Sequence, residues 1–255
     1  MKIVTYNLRC VYSKDGINSF VHRAGMILDT IREKKPDVIC FQEATVSNIG
    51  FLRRYLAPEY TVLLTQREAG LKGEGLAVAY RPEKLTLYGL EVFWLSPTPE
   101  VIASKFEGQS QHSRICQNLL FKNEETGNTF RIYNLHLEEI SEAVRKQQME
   151  LALSRAEAEA QPTLLMGDLN TYPSGQVIAH CLEKGFVDLT AHIPYSFHRF
   201  GTCIPNVKLD YFLAKPEVAA LCSDVKIWDE QLNGIYLSDH YPVQVKVWLK
   251  GAKRW

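Results

Sequence analysis

Short apolar runs that end in polar residues recur along the whole chain. Ile3-Val4, Val38-Ile39-Cys40-Phe41, Thr163-Leu164-Leu165-Met166 and Ile235-Tyr236-Leu237 each read as a buried strand. They run out into Thr5-Tyr6-Asn7, Gln42-Glu43, Gly167-Asp168-Leu169-Asn170 and Ser238-Asp239-His240. Further strands are predicted at 60–66, 75–80, 84–95, 115–122, 129–137, 208–214, 223–229 and 241–249, with a hairpin turn at Glu124-Glu125-Thr126-Gly127-Asn128. Helical patterns alternate with them. Asn18-Ser19 offers an N-cap for an amphipathic helix through Lys34, with Val21, Ile27, Leu28 and Ile31 on its apolar side, and Pro36 stops it. Other helices are predicted from Thr45 to Leu56, from Ser141 to Glu159 and over 174–184. Consecutive strands and isolated helices both occur, without linker, repeat or low-complexity segment. That combination predicts one domain over 1–255, an α/β fold with two mixed β-sheets packed face to face and helices outside.

Composition narrows the function. The chain has 255 residues, of which 46% are hydrophobic, so a substantial core is expected. A formal net charge of zero argues against tight non-specific nucleic-acid binding, which needs lysine and arginine to neutralise phosphates. The six cysteines show no CxxC spacing, so neither a zinc site nor a disulfide framework is expected. No apolar stretch approaches membrane length, and the first strand starts at Lys2 with no room for a signal peptide. The expectation is a reduced, cytoplasmic protein without a membrane or an obligate protein partner.

Polar residues at the ends of buried strands are where layered α/β folds place chemistry. Carboxylates gathered there repel one another, by roughly 1 kcal/mol at ~4 Å in water and about 4 kcal/mol at an effective dielectric of 20. A hard divalent cation relieves that repulsion, which points to magnesium held by oxygen ligands, with manganese as a substitute.

Six islands in order carry a resemblance: Tyr6-Asn7, Gln42-Glu43, Tyr133-Asn134-Leu135-His136, Gly167-Asp168-Leu169-Asn170, Leu209-Asp210-Tyr211-Phe212 and Ser238-Asp239-His240-Tyr241-Pro242. With them the chain resembles the endonuclease/exonuclease/phosphatase superfamily of metal-dependent, DNase I-like phosphoesterases. The blocks Phe93–Pro99 and Ser196–Phe200 resemble a poorly characterised bacterial branch of it. The resemblance implies a four-layer α/β sandwich. It implies metal ligation by Glu43, with Asp239 and Asn7 completing the site. It further implies that Asp168 aligns or deprotonates the attacking water while Asn170 holds water or phosphate. His240, braced by Asp210, and His136 would contact the scissile phosphate. Asn170 read on its own is also a plausible helix cap, and Asn7 a strand-end turn residue.

Outside these islands, Arg114 in the polar run 108–114 is a candidate phosphate fork, and that run a candidate mobile loop over the site. Glu74, between Gly73 and Gly75, is a candidate substrate contact. His198, flanked by aromatics, either lines the substrate pocket or packs on the core. Glu139 stands where many relatives carry a second histidine. The expected activity is hydrolysis of a phosphate mono- or diester by in-line attack of water, on a small phosphorylated substrate in preference to nucleic acid. A nuclease of the same superfamily and a non-catalytic binding module on the same scaffold are the alternatives.

Overall fold

The computed structural model describes residues 1–11, 13–70 and 73–249. Positions 12, 71, 72 and 250–255 of the expected domain lie outside the described residues.

Alternation along each strand sends neighbouring side chains to different layers. In β1 (Lys2–Asn7) Ile3 faces one way and Val4 the other; in β2 (Val38–Ala44) Val38 and Cys40 oppose Ile39 and Phe41. The chain continues through β3 (Thr61–Gln66), β4 (Gly75–Tyr80), β5 (Leu85–Trp94), β6 (Ile115–Asn123), β7 (Thr129–His136), β8 (Thr163–Asp168), β9 (Val187–Asp188), β10 (Asp210–Ala214), β11 (Cys222–Ile227), β12 (Gln231–Leu232), β13 (Ile235–Tyr236) and β14 (Val243–Val247). One sheet has the order β11-β14-β1-β2-β4-β3 and the second β5-β6-β7-β8-β10-β9. Each mixes one parallel pair, β1 with β2 and β7 with β8, into antiparallel neighbours.

The helices are α1 (Phe20–Lys34), α2 (Val46–Leu56), α3 (Glu142–Glu157), α4 (Gln176–Glu183) and a single turn α5 (Pro216–Ala219). Three apolar layers hold this arrangement together. Ile27, Ile31, Ile49 and Leu52 of α1 and α2 pack on Val4, Ile39 and Phe41. Met149, Leu153, Val177 and Ile178 of α3 and α4 pack on Tyr133, Leu165 and Leu213. Between the sheets Ile3, Val38, Val78 and Val245 meet Leu119, Phe121, Ile132 and Met166. Helix, sheet, sheet, helix is the four-layer order expected. Among the described residues, no helix is long and apolar enough to cross a membrane.

The caps agree with the helix starts read from the sequence. Thr45 and Asn48 form a reciprocal capping box for α2, and the Ser141 hydroxyl accepts the Val144 N–H at 3.3 Å.

Two expectations need correction. Val21 is 75% exposed; the buried face of α1 runs through Phe20, Arg23, Ala24, Ile27 and Ile31, and at 3.6 residues per turn Val21 falls about 120° round the helix from Ile27. Ile235–Leu237 is not a buried sheet strand. Ile235 and Tyr236 are half-buried and pair only with Gln231–Leu232 in a two-stranded hairpin, while Leu237 alone reaches the core.

Polar groups also cross the seam between the sheets at one end. Thr5 Oγ1, Gln42, Asn134, Gln117 and Thr65 Oγ1 form a chain of amides and hydroxyls, with Gln42 Nε2 donating to Asn134 Oδ1 at 2.8 Å and Asn134 Nδ2 to Gln117 Oε1 at 3.0 Å. Buried amides satisfied in this way fix register as well as distance. They lie next to Glu43 and His136 in sequence and mark the end of the sandwich where the polar islands converge.

Candidate active site

Register brings the acids together. On the second sheet Asp168, the last residue of β8, is paired with His136 of β7 on one side and with Asp210 of β10 on the other. β8 can approach β7 this closely because residue 167 is glycine: at its φ of +145° a Cβ would lie 1.9 Å from the Leu135 carbonyl oxygen. On the first sheet Asn7 lies opposite Gln42 in register, which places Glu43 one residue beyond.

Hydrogen bonds then join the two sheets. Asn7 Nδ2 donates to Glu43 Oε1 at 3.1 Å and to Asp168 Oδ2 at 2.9 Å. Glu43 Oε2 accepts the Cys10 N–H at 2.9 Å, and Asp168 Oδ1 accepts the Asn170 N–H at 2.9 Å. His240 Nδ1 bonds Asp210 Oδ2 at 2.8 Å, and its Nε2 stands 3.7 Å from Asp168 Oδ2. His136 Nε2 is 3.8 Å from the same oxygen. Arg9, Glu43 and Asn170 all hold positive φ, at 55°, 51° and 48°. Such backbone is unusual for residues other than glycine, and here it coincides with the polar convergence.

The electrostatics follow from burial. Asp168 is pushed up to about 7 by desolvation, against the pull of the His240 cation and with the push of Asp210. Burial works against the His240 cation, yet Asp210 and Asp168 outweigh it and raise the ring to about 10. His136 is driven well below its ordinary value, first by burial and then by the Arg114 and Arg67 charges. One imidazole is therefore held charged and the other neutral, on opposite sides of Asp168.

Glu43 stays below the usual carboxylate range despite its burial, because the Cys10 N–H and the Arg9 guanidinium favour its charged form. Asp239 is pushed up by burial; the His240 cation eases this and the Glu43 charge adds to it. Glu43 and Asp239 both line a cleft of about 900 Å³, together with Glu74, His136, Asn170 and His240. This donor set suits a hard cation: the acids supply oxygen, and Asp239 is uncomfortable beside Glu43 until positive charge arrives. Cys10 lies within reach of Glu43 and Glu74, and burial, reinforced by the Glu43 charge, pushes its thiol up. The carboxylate oxygens of the set fit an oxygen-ligated divalent metal.

Asn7, Glu43, His136, Asp168, Asn170, Asp210, Asp239 and His240 are thus brought to one place. Arg114 and Glu74 line the same cleft, Glu74 in an ion pair with Arg67 at 3.0 Å. His198 does not line it. Its ring is buried, stacked on Tyr241 at 4.0 Å, and accepts the Gly201 N–H, while its neighbours Phe197 and Phe200 face the cleft. The run 108–114 is stitched down, with Ser110 bonded to Glu138 at 2.8 Å and Ser113 to Glu68 at 2.8 Å. Arg145 and Gln148 hold the backbone of Glu138 from α3, and Glu139 lines the cleft.

Three site residues escaped the sequence reading. Arg9 bridges Asp15 at 3.2 Å and approaches Asp239 at 3.7 Å; its only signal was adjacency to Asn7. Arg67 lies in the β3–β4 connection with no motif around it. Ser196 donates to Asp210 Oδ2 at 2.6 Å and accepts the Asp210 N–H, so it orients the acid that orients His240.

Residues 4–240 match the model of the Endonuclease/Exonuclease/phosphatase family. The uncharacterized protein L388 of Acanthamoeba polyphaga mimivirus is 26% identical over 244 residues, spanning 88% of this chain and 90% of the viral one. The crystal structure of a functionally unknown conserved protein from Enterococcus faecalis superposes with a TM-score of 0.85 at 27% identity, covering 97% of this chain and 99% of that one. A mannosyl-6-phosphatase of Bacteroides thetaiotaomicron shares the fold, with a TM-score of 0.84 at 24% identity over 98% of this chain and all of that one (100%).

Proposed function

The chain belongs to the Endonuclease/Exonuclease/phosphatase family of phosphoester-hydrolysing enzymes, and from that premise we propose that it is a magnesium-dependent hydrolase of a small phosphate ester, acting through an activated water. The observation that supports this most is the placement of Asp168 between a neutral His136 and a charged His240 braced by Asp210, at the floor of an open cleft.

Glu43 and Asp239, with Asn7 beside them, would hold the ion, which when bound supplies Lewis-acid polarisation of a phosphoryl oxygen and neutralises charge at the leaving oxygen. The chain's own groups do the rest. Asp168, pushed up to about 7, is matched to taking a proton from water near neutral pH. Asn170 and Asn7 fix the orientation of that carboxylate through its two oxygens. His240 offers an N–H to a negatively charged phosphoryl oxygen, and Asp210 with Ser196 keeps its ring in one orientation. His136 approaches from the other side as a neutral donor. Positioning and electrostatics dominate, as expected for phosphoryl transfer.

A small substrate is favoured over nucleic acid. The chain has no net formal charge to draw in a polyanion, and two of the cleft's cations are matched by acids, Arg9 by Asp15 and Arg67 by Glu74. That a sugar-phosphate phosphatase is built on the same frame makes sugar phosphates the first esters to try. The test is a panel of phosphate mono- and diesters incubated with purified protein and magnesium or manganese. Hydrolysis abolished by chelator and restored by metal supports the proposal. No turnover of any ester with either metal overturns it.

A further inference from the structure

Arg114 is a buried cation with no ion pair among the described residues, although the more distant charges of Glu139, Glu138 and Asp168 act in its favour against burial and the Arg67 charge. It lies just ahead of β6, is 3% exposed, and has no hydrogen-bond partner for Nε or Nη1 among the described residues. A buried charge is costly unless it is paired and hydrogen-bonded. Its surroundings make the omission conspicuous, because the acids nearby are engaged elsewhere. Glu138 accepts from Ser110 Oγ at 2.8 Å and the Ile140 N–H at 3.1 Å, Glu68 from the Ser113 N–H, Asp168 from Asn7 and Asn170, and Glu74 pairs with Arg67. Glu139 is exposed.

The neighbour on the other side makes matters worse. Arg67 is buried too, its own Nε lacks a partner, and its charge disfavours the Arg114 cation. The frame that holds the two arginines is rigid. The Arg67 carbonyl accepts from Trp94 Nε1 at 2.8 Å and Ser113 Oγ at 2.6 Å, and the Arg114 carbonyl from the Leu95 N–H at 2.8 Å. A void of about 10 Å³ between Arg67, Arg114 and His136 has room for a single water at most. Those carbonyl bonds fix the backbone at both arginines, and both residues line the cleft.

Arg114 borders that void together with His136, and both line the cleft that His240 also lines. We propose that Arg114, stiffened and reinforced by Arg67, receives a third terminal phosphoryl oxygen, so that the site selects doubly charged phosphomonoesters over diesters. A monoester near neutral pH carries up to about two negative charges on three terminal oxygens, its second pKa being about 6. A diester carries one charge on two. His240, His136 and the Glu43 face already serve two oxygens; a further guanidinium in the cleft wall, with Nε and Nη1 buried and unpartnered, is surplus unless a third oxygen draws on its charge. This inference rests on the phosphoester-hydrolase reading above.

The experiment compares p-nitrophenyl phosphate with methyl p-nitrophenyl phosphate, which share a leaving group and differ by one charged oxygen. Wild type, R114Q and R114K are assayed with magnesium, and binding of inorganic phosphate and of dimethyl phosphate is measured on the same proteins by calorimetry. R114Q is expected to lose kcat/KM on the monoester by on the order of thirtyfold more than on the diester, the scale of charge-assisted hydrogen bonds. R114K, which keeps the charge but not the fork, is expected to fall between, and it carries the test if R114Q does not fold. Wild type is expected to prefer phosphate over dimethyl phosphate, and R114Q to lose that preference. Equal losses on both esters, or no loss on either, overturn the inference. A phosphate preference that depends on Arg114 in a protein that turns over neither of these two esters upholds the anion site, and the hydrolase reading then falls only if the full ester panel with magnesium and manganese also shows no turnover.

Discussion

Replacing Asp168 by asparagine exchanges one carboxylate oxygen for an amide nitrogen at almost constant shape. In the native site Oδ1 accepts the Asn170 N–H at 2.9 Å and Oδ2 accepts Asn7 Nδ2 at 2.9 Å. Whichever way the new amide turns, one donor must face another donor. An unsatisfied buried donor costs about 1–3 kcal/mol. Against that, the exchange removes a carboxylate whose burial already pushes it up to about 7 and which Asp210 repels. The two effects oppose each other, so the net change in stability is small, within about 6 °C of Tm for a chain of this size. Catalysis has no such compensation. An amide cannot accept the proton of the attacking water, and general-base catalysis is worth ~10²–10⁴-fold, or about 3–5 kcal/mol of barrier. Asp168→Asn is therefore expected to lower kcat at least about a hundredfold with KM changed by no more than about threefold. Steady-state kinetics on a chromogenic ester, with a melting curve on the same sample, decides it. A folded variant that turns over within a factor of about three of wild type would remove Asp168 from the role assigned to it.

Other predictions concern the frame around the site. Lys208 is buried and paired with Asp188 at 2.7 Å; Lys208→Met leaves that acid unpaired and is expected to cost about 3–5 kcal/mol in denaturant unfolding, and a loss under about 1 kcal/mol would contradict the reading. Gly167→Ala would drive a Cβ into the Leu135 carbonyl and part β7 from β8, so at least about 1–3 kcal/mol of stability should go, and turnover with it; a crystal structure showing His136 and Asp168 undisturbed would count against the argument. His198 is lowered to about 4 by burial and then by the His240 charge, against about 6.5 when unfolded. Between those values the unfolded chain binds more protons, so this stability is complete above pH 6.5 and is lost as pH falls through 4. In chelator, His198→Phe should flatten the acid limb of the stability curve by on the order of 3 kcal/mol, and parallel curves for the two proteins would refute it.

Much of the frame was legible because burial on both faces leaves a plain signature in sequence. Val38 to Phe41 and Leu164 to Met166 are continuous apolar runs because each alternates between an inter-sheet layer and a helix-covered layer. Asn7, Glu43, His136 and Asp168 were legible for the complementary reason: a polar residue directly after such a run has no partner within its own strand. What escaped depended on contacts distant in sequence or on backbone no pattern encodes. Arg9 reaches Asp239 from a left-handed conformation at φ 55°. Arg67 matters because a separate segment carrying Arg114 is laid against it by Ser113 and Trp94. Val21 is a different case, since at 3.6 residues per turn it already falls about 120° from Ile27, off the buried face. His198 and Phe197 are adjacent, and only the fold decides that the phenylalanine meets the cleft while the histidine stacks behind it.

Magnesium titrated calorimetrically into chelator-treated wild type and into Glu43→Gln addresses the core of the account, namely that these acids are assembled for a cation. Wild type is expected to take up the ion and melt at higher temperature in its presence, and Glu43→Gln, which keeps the Cys10 and Asn7 contacts within reach but loses the charge, to bind at least about tenfold more weakly. No heat of uptake and no change in melting at saturating magnesium or manganese in wild type would contradict it.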